Sequence, residues 1–120
     1  MKKESSIYED KKVKIILANY PLTKGHTIVI WKNNIKDLKK LPKEDYEYLM
    51  DKVDEARNAL LKTFKVKKVY LVYMDELQHV HWHLIPRYKE KGFKVFKHKP
   101  KKTKDFSLAE EIKKNFILKI

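Results

Sequence analysis

The chain has no cysteine among its 120 residues. That excludes disulfides, thiolate catalysis and cysteine zinc sites, and it is compatible with a cytoplasmic location. Glycine occurs twice and proline four times, and no internal repeat or long linker is visible. No apolar run approaches the ~20 residues needed to cross a bilayer. The start, MKKESSIYEDKK, has no apolar h-region, so no secretory signal is visible. A soluble cytoplasmic protein with no membrane partner is the expectation. Acidic residues are also scarce, 16 against 29 lysines and arginines, which leaves a net charge of +13. Such a surface attracts phosphate-bearing partners. A merely solvated, lysine-rich surface explains the charge equally well. The densest patch is RYKEKGFKVFKHKPKKTK, residues 87–104, with nine basic residues and one Glu.

What is present suffices to fold. Apolar residues make up 42% and aromatics 12%, and this length fits one domain over 1–120 with a modest core. From about residue 89 the chain becomes a basic C-terminal extension. Residues 1–12 are polar and read as frayed. VKIILANY (13–20) and HTIVIWK (26–32) read as paired antiparallel strands around the turn YPLTKG. A short irregular or helical piece spans 33–41. Pro42, Glu44 and Asp45 suit a helix start. Tyr46, Leu49, Met50, Val53, Ala56, Leu60 and Phe64 then recur at helical spacing, predicting a core-facing helix over about 44–64. KKVYLVY (67–73) and HVHWHLIPRY read as further strands, and FKVFK as a short edge strand. FSLAEEIKKNF reads as a terminal helix: Ser107 and Glu110 have capping-box spacing, and Leu108, Ile112 and Phe116 share a face. The sum is an α+β domain: an antiparallel sheet of about five strands, one long helix and a short C-terminal helix.

Three of the five histidines fall in QHVHWHLIPRY: His79, His81 and His83. Side chains alternate along a strand, so the three should share one face, with Val80, Trp82 and Leu84 on the other. A chance cluster on a solvated face is one reading. Metal binding is another, with His26 completing a site, since neutral imidazole is a common ligand. Chemistry at phosphorus is the third. A neutral imidazole can attack a phosphoryl group, while neighbours orient it, contact phosphate oxygens and protonate the leaving group. His98, within the basic segment, reads as solvated.

HVHWHLI fits His-x-His-x-His followed by two apolar residues. It resembles the signature of the histidine triad (HIT) family of nucleotide hydrolases and transferases. YPLTKGHTIVIWK resembles the family's upstream block, in which a turn ends in Gly-His and enters an apolar strand. KDLKKLPKEDYEYLM resembles the family's linker and central helix, and the likeness runs from about residue 8 to 90. It implies a HIT-like fold and a nucleotide substrate, without a cofactor or a metal on the histidines. His81 would attack the α-phosphate and form a nucleotidyl-histidine, which water then releases. His83 would contact the phosphate and leaving group, and His79 and His26 would orient the nucleophile. The resemblance also implies a homodimer, with the nucleoside in a cleft near the first strands. Dinucleoside polyphosphates and nucleoside phosphoramidates are the substrates expected, cleaved by a hydrolase or nucleotidyltransferase. The departures from the family pattern are local. The turn before the triad, MDELQ, lacks glycine, and Glu76 lies where a small polar residue is common. Gln78 is the remaining candidate for that phosphate contact. Ala18 stands where a ribose-binding Asp or Asn is common, with Asn19 the nearest candidate. Lys24 and Trp31 stand where prolines are common, and Trp31 reads equally as core or as a base contact. Two alternatives stay open: a nucleic-acid-binding module using 87–104, where Tyr88, Phe93 and Phe96 lie among lysines, and a metal-dependent hydrolase using His26, His79, His81 and His83.

Overall fold

In the computed structural model, residues 5–75, 78–103 and 105–118 are described. The elements run β1 (Ser6–Glu9), β2 (Val13–Leu17), β3 (Thr27–Trp31), a 3-10 turn at Leu38–Lys40, and α1 (Lys43–Phe64). They continue with β4 (Lys68–Tyr73), β5 (His81–Arg87), a second 3-10 segment at Gly92–Lys97, and α2 (Ser107–Lys114). The strands form one five-stranded sheet in the order β1-β2-β3-β5-β4, and every pairing is antiparallel. This is the α+β architecture expected, with one long helix and a short terminal one.

Two strand expectations change. The polar N-terminal stretch is not frayed throughout: Ser6–Glu9 pairs with β2, and Ile7 is buried. The connecting turn is held by Asp10, whose Oδ1 accepts the amide protons of Lys12 and Val13, each at 2.8 Å. Its Oδ2 accepts the hydroxyls of Tyr8 and Tyr48. Burial raises the Asp10 pKa, but these bonds outweigh it and hold the carboxyl down to about 2. FKVFK is helical rather than an edge strand. Both sides of β5 are already taken by β3 and β4, so the chain leaves the sheet through Gly92 at φ 64° and buries only Val95.

Register sorts the sheet into two faces. Val13 pairs with Trp31, Ile15 with Val29, Leu17 with Thr27, and Thr27 with Leu84. These residues are buried beneath Leu49, Val53, Ala56 and Leu60 of α1. Trp31 belongs to this core. The other face carries Ile28 opposite His83 and Ile30 opposite His81. The helical stripe is displaced from expectation at two places. Tyr46 is exposed, whereas Lys52 and Glu55 are buried as an ion pair at 3.0 Å. The Lys52 ammonium lies 5.3 Å from the Tyr8 ring centroid and 5.0 Å from that of Tyr48. In α2, Ile112 and Ala109 are buried, with Leu108 and Phe116 packed partly against the same core. No capping box forms. Ser107 is the first helical residue, and Asp105 Oδ1 accepts its amide and hydroxyl protons. An aspartate two residues upstream therefore takes the capping role expected of Ser107. Among the described residues no helix is long and apolar enough to cross a membrane.

Candidate active site

Gly25 sets the entry to the site. Its φ is 85°, and a Cβ there would lie 2.3 Å from Cε2 of Phe64. Only glycine combines this backbone conformation with the close approach of that ring. The next residue, His26, is thereby delivered to the start of β3, the central strand of the sheet, and is only 4% exposed. Its carbonyl accepts the amide proton of Ala18 at 2.9 Å.

The hydrogen bonds around the imidazoles dictate their tautomers. The Leu22 amide donates to His26 Nδ1 at 3.0 Å, so that nitrogen carries no proton. His26 Nε2 must then be the N–H, and it donates to His83 Nδ1 at 3.0 Å. His83 is left with its proton on Nε2. His81 Nδ1 lies 3.0 Å from the carbonyl oxygen of His79. It must donate there, which leaves an unprotonated lone pair on His81 Nε2. The His81 and His83 rings meet edge to face with centroids 5.1 Å apart. A bare nitrogen and an N–H donor thus stand on neighbouring rings of one rigid strand.

Electrostatics preserve this pattern. Burial, then the proximity of His83, lowers the His26 pKa to about 4. Burial, then His81, lowers that of His83. Both rings are therefore neutral at pH 7, as a donor-and-acceptor relay requires.

His79 departs from the expected row. β5 begins at His81, and His79 sits in the turn before it. Its Nδ1 lies 3.0 Å from the carbonyls of both Trp31 and Asn33, a shared donation that ties the turn to the end of β3. His79 reaches His81 through its backbone carbonyl, not its ring. His26 likewise touches His83 rather than His81. Asn19 and Gln78 are both exposed and lie at opposite ends of the histidine cluster. Asn19 follows Ala18 beside His26, and Gln78 precedes His79. Glu76 lies outside the described residues. Among the described residues, no three His, Asp or Glu side chains converge as metal ligands: the imidazoles are tied to one another and to carbonyls instead.

Several contributors carry no sequence signal, because they act through the backbone. The Leu22 amide and the His79 carbonyl are the two that set tautomers. Thr23 Oγ1 donates to the Pro86 carbonyl at 2.8 Å, bracing the turn against β5, and the Tyr88 hydroxyl donates to the Lys24 carbonyl at 2.7 Å. Tyr88 was legible in the sequence as an aromatic among lysines, but its bracing role was not. His98 is not simply solvated: its Nε2 pairs with Glu90.

Residues 1–90 match the family model described as the HIT domain. The chain belongs to the HIT family. An uncharacterized 13.1 kDa HIT-like protein of Mesomycoplasma hyorhinis is 34% identical over 90 residues, covering 70% of this chain and 81% of its own. A HIT family protein of Bacillus anthracis superposes with a TM-score of 0.65 at 34% identity, over 72% of this chain and 65% of its own. A zinc-bound histidine triad family protein of Mycobacterium smegmatis shares the fold, with a TM-score of 0.76 at 23% identity over 92% and 82% of the two chains. HIT membership points to a nucleotide hydrolase or transferase, and the segment beyond residue 90 lies outside the HIT match.

Proposed function

We propose that this HIT protein cleaves nucleotides at the α-phosphate through a covalent intermediate on His81. The substrates are dinucleoside polyphosphates or nucleoside phosphoramidates. The observation that carries the reading is the bond from His81 Nδ1 to the His79 carbonyl, which frees Nε2 as the nucleophile. Nε2 attacks the α-phosphorus, and a P–N bond forms as the bond to the leaving group breaks. The electron pair departs with the leaving oxygen or nitrogen, to which the neutral His83 donates a hydrogen bond from Nε2; a leaving phosphate carries the charge itself, and a leaving nitrogen takes its proton from water. His26, donating to His83 Nδ1, keeps that donor in the correct tautomer. Water then hydrolyses the nucleotidyl-histidine, giving a nucleoside monophosphate and free His81. The histidines do this work without a cofactor. Asn19 is the proposed ribose partner and Gln78 the proposed phosphate contact. The exposed edge of the sheet at β4 suits a homodimer, though the reaction steps above use residues of one chain.

The test is adduct trapping. The protein is mixed with a diadenosine polyphosphate or an adenosine phosphoramidate, quenched under mildly basic conditions, and weighed intact. An AMP adduct on the wild type that is missing in His81→Ala, with AMP release lost in parallel, is the expected result. A His81→Ala protein that keeps full turnover sinks the assignment. Activity that disappears on complete metal removal and returns with metal would favour the metal-dependent alternative.

A further inference from the structure

The basic segment 87–103, most of which lies beyond the HIT match, is folded, not a loose tail. Its start is held by the Tyr88 hydroxyl on the Lys24 carbonyl. Its middle is held by the Gly92 amide, which donates to the Tyr70 hydroxyl at 2.7 Å, and by Val95, which is 1% exposed. Its end is held by Thr103, whose amide donates to the Asn19 carbonyl and whose hydroxyl donates to that of Ala18. Between the segment and the 21–24 turn lies a cavity of about 490 Å³. Lys24, Lys89, Lys99 and Lys101 line it, and its single carboxylate, Glu90, is already paired with His98. None of the lysines of the segment is in an ion pair among the described residues.

The same segment displays aromatic rings. In a 3-10 helix, residues three apart lie on one side. Burying Val95 therefore turns Phe93 and Phe96 outward together, with centroids 6.5 Å apart. Phe93 is 87% exposed although its backbone is anchored. A single exposed ring is ordinary, but here Phe93 and Phe96 stand side by side among cations, the combination of charge and π-face that an unpaired strand uses.

We propose that the folded segment 87–103 binds single-stranded nucleic acid, holding backbone phosphates in the lysine-lined cavity and stacking a base on Phe93. Cations along a groove plus an exposed aromatic platform are what unpaired strands require. The bases of a duplex are stacked on each other and cannot reach Phe93. A lipid headgroup would use the charge but not the stacking ring beside a cavity. This binding does not depend on the His81 chemistry, and it is read without turnover.

Fluorescence anisotropy of the full chain with a short labelled oligothymidylate tests it, alongside a duplex of equal length and phosphatidylserine vesicles. The logarithm of affinity should fall linearly with that of salt. Lys99→Ala with Lys101→Ala should reduce the slope by about 1.4, at roughly 0.7 for each phosphate that is no longer neutralised. Phe93→Ser, at an exposed position, should weaken binding about tenfold and leave the slope unchanged. No binding at low salt overturns the proposal. So does binding indifferent to both variants, equal affinity for the duplex, or attachment to vesicles alone. A Phe93→Ser chain that changes oligomeric state without changing oligonucleotide affinity identifies a second copy as the occupant and overturns it as well.

Discussion

His26 hydrogen-bonds to Leu22 and His83 rather than to the proposed nucleophile, yet the proposed chemistry depends on it. Its Nδ1 is filled by the Leu22 amide and its Nε2 proton is given to His83, so it can serve only as the neutral ring. Burial lowers its pKa from 6.5 to about 4. As pH falls below 6.5 the unfolded chain takes up this proton before the folded chain does. The stabilising contribution is thus complete above about pH 6.5 and is lost as pH falls towards 4, reaching about 3 kcal/mol. Urea midpoints measured from pH 7 to 4 should fall more steeply for the wild type than for His26→Gln. Equal slopes would mean that His26 is not the group responsible. Which histidines gather at the candidate site was legible in the sequence, from Gly25-His26 and the alternation of 79, 81 and 83. Which nitrogen carries each proton was not, because two of the partners are backbone groups of Leu22 and His79.

At the scale of elements, α1 does more than cover the sheet with a hydrophobic stripe. Lys52 and Glu55 are buried on it as a pair 3.0 Å apart. Helical periodicity places them one turn apart but cannot show that β1 and α2 close over that flank. Removing one partner from a buried pair strands a charge, which costs about 3–5 kcal/mol, whereas an apolar replacement of both is often neutral. Glu55→Ala should therefore lower the urea midpoint sharply, and Lys52→Met with Glu55→Leu should restore most of it. A double variant as unstable as the single one would show that the Lys52 contacts with Tyr8 and Tyr48 matter more than the charge pairing. β1 itself was hidden from sequence reading. SIYE offers one apolar residue that becomes buried, Ile7, and its pairing shifts register between Ser6 and Tyr8, so no clean alternation marks it.

For the molecule as a whole, the net charge of +13 sets the electrostatic background. Like charges destabilise the compact state by self-repulsion, and salt screens exposed charges over about 8–10 Å at physiological strength. The urea midpoint at pH 7 should thus rise as salt is increased from low to physiological concentration. Oligonucleotide affinity should fall over the same range. A midpoint that drops instead would mean that ion pairs such as Lys32–Glu9 outweigh the repulsion.

The sequence alone determined the order of β2 to β5 and the two α-helices and the histidines of the candidate site, because hydrophobic period and motif spacing are properties of neighbouring residues. It also determined the sign of the surface. Tertiary structure decided what depends on distant partners. The 3-10 fold of FKVFK follows from a sheet with no free place beside β5. The neutral His26–His83 relay follows from a turn closed by Gly25 against Phe64. The shape of the basic segment follows from Thr103, 85 residues along the chain from the carbonyl its hydroxyl finds. No local pattern encodes such a contact, since it exists only after the chain has folded back on itself.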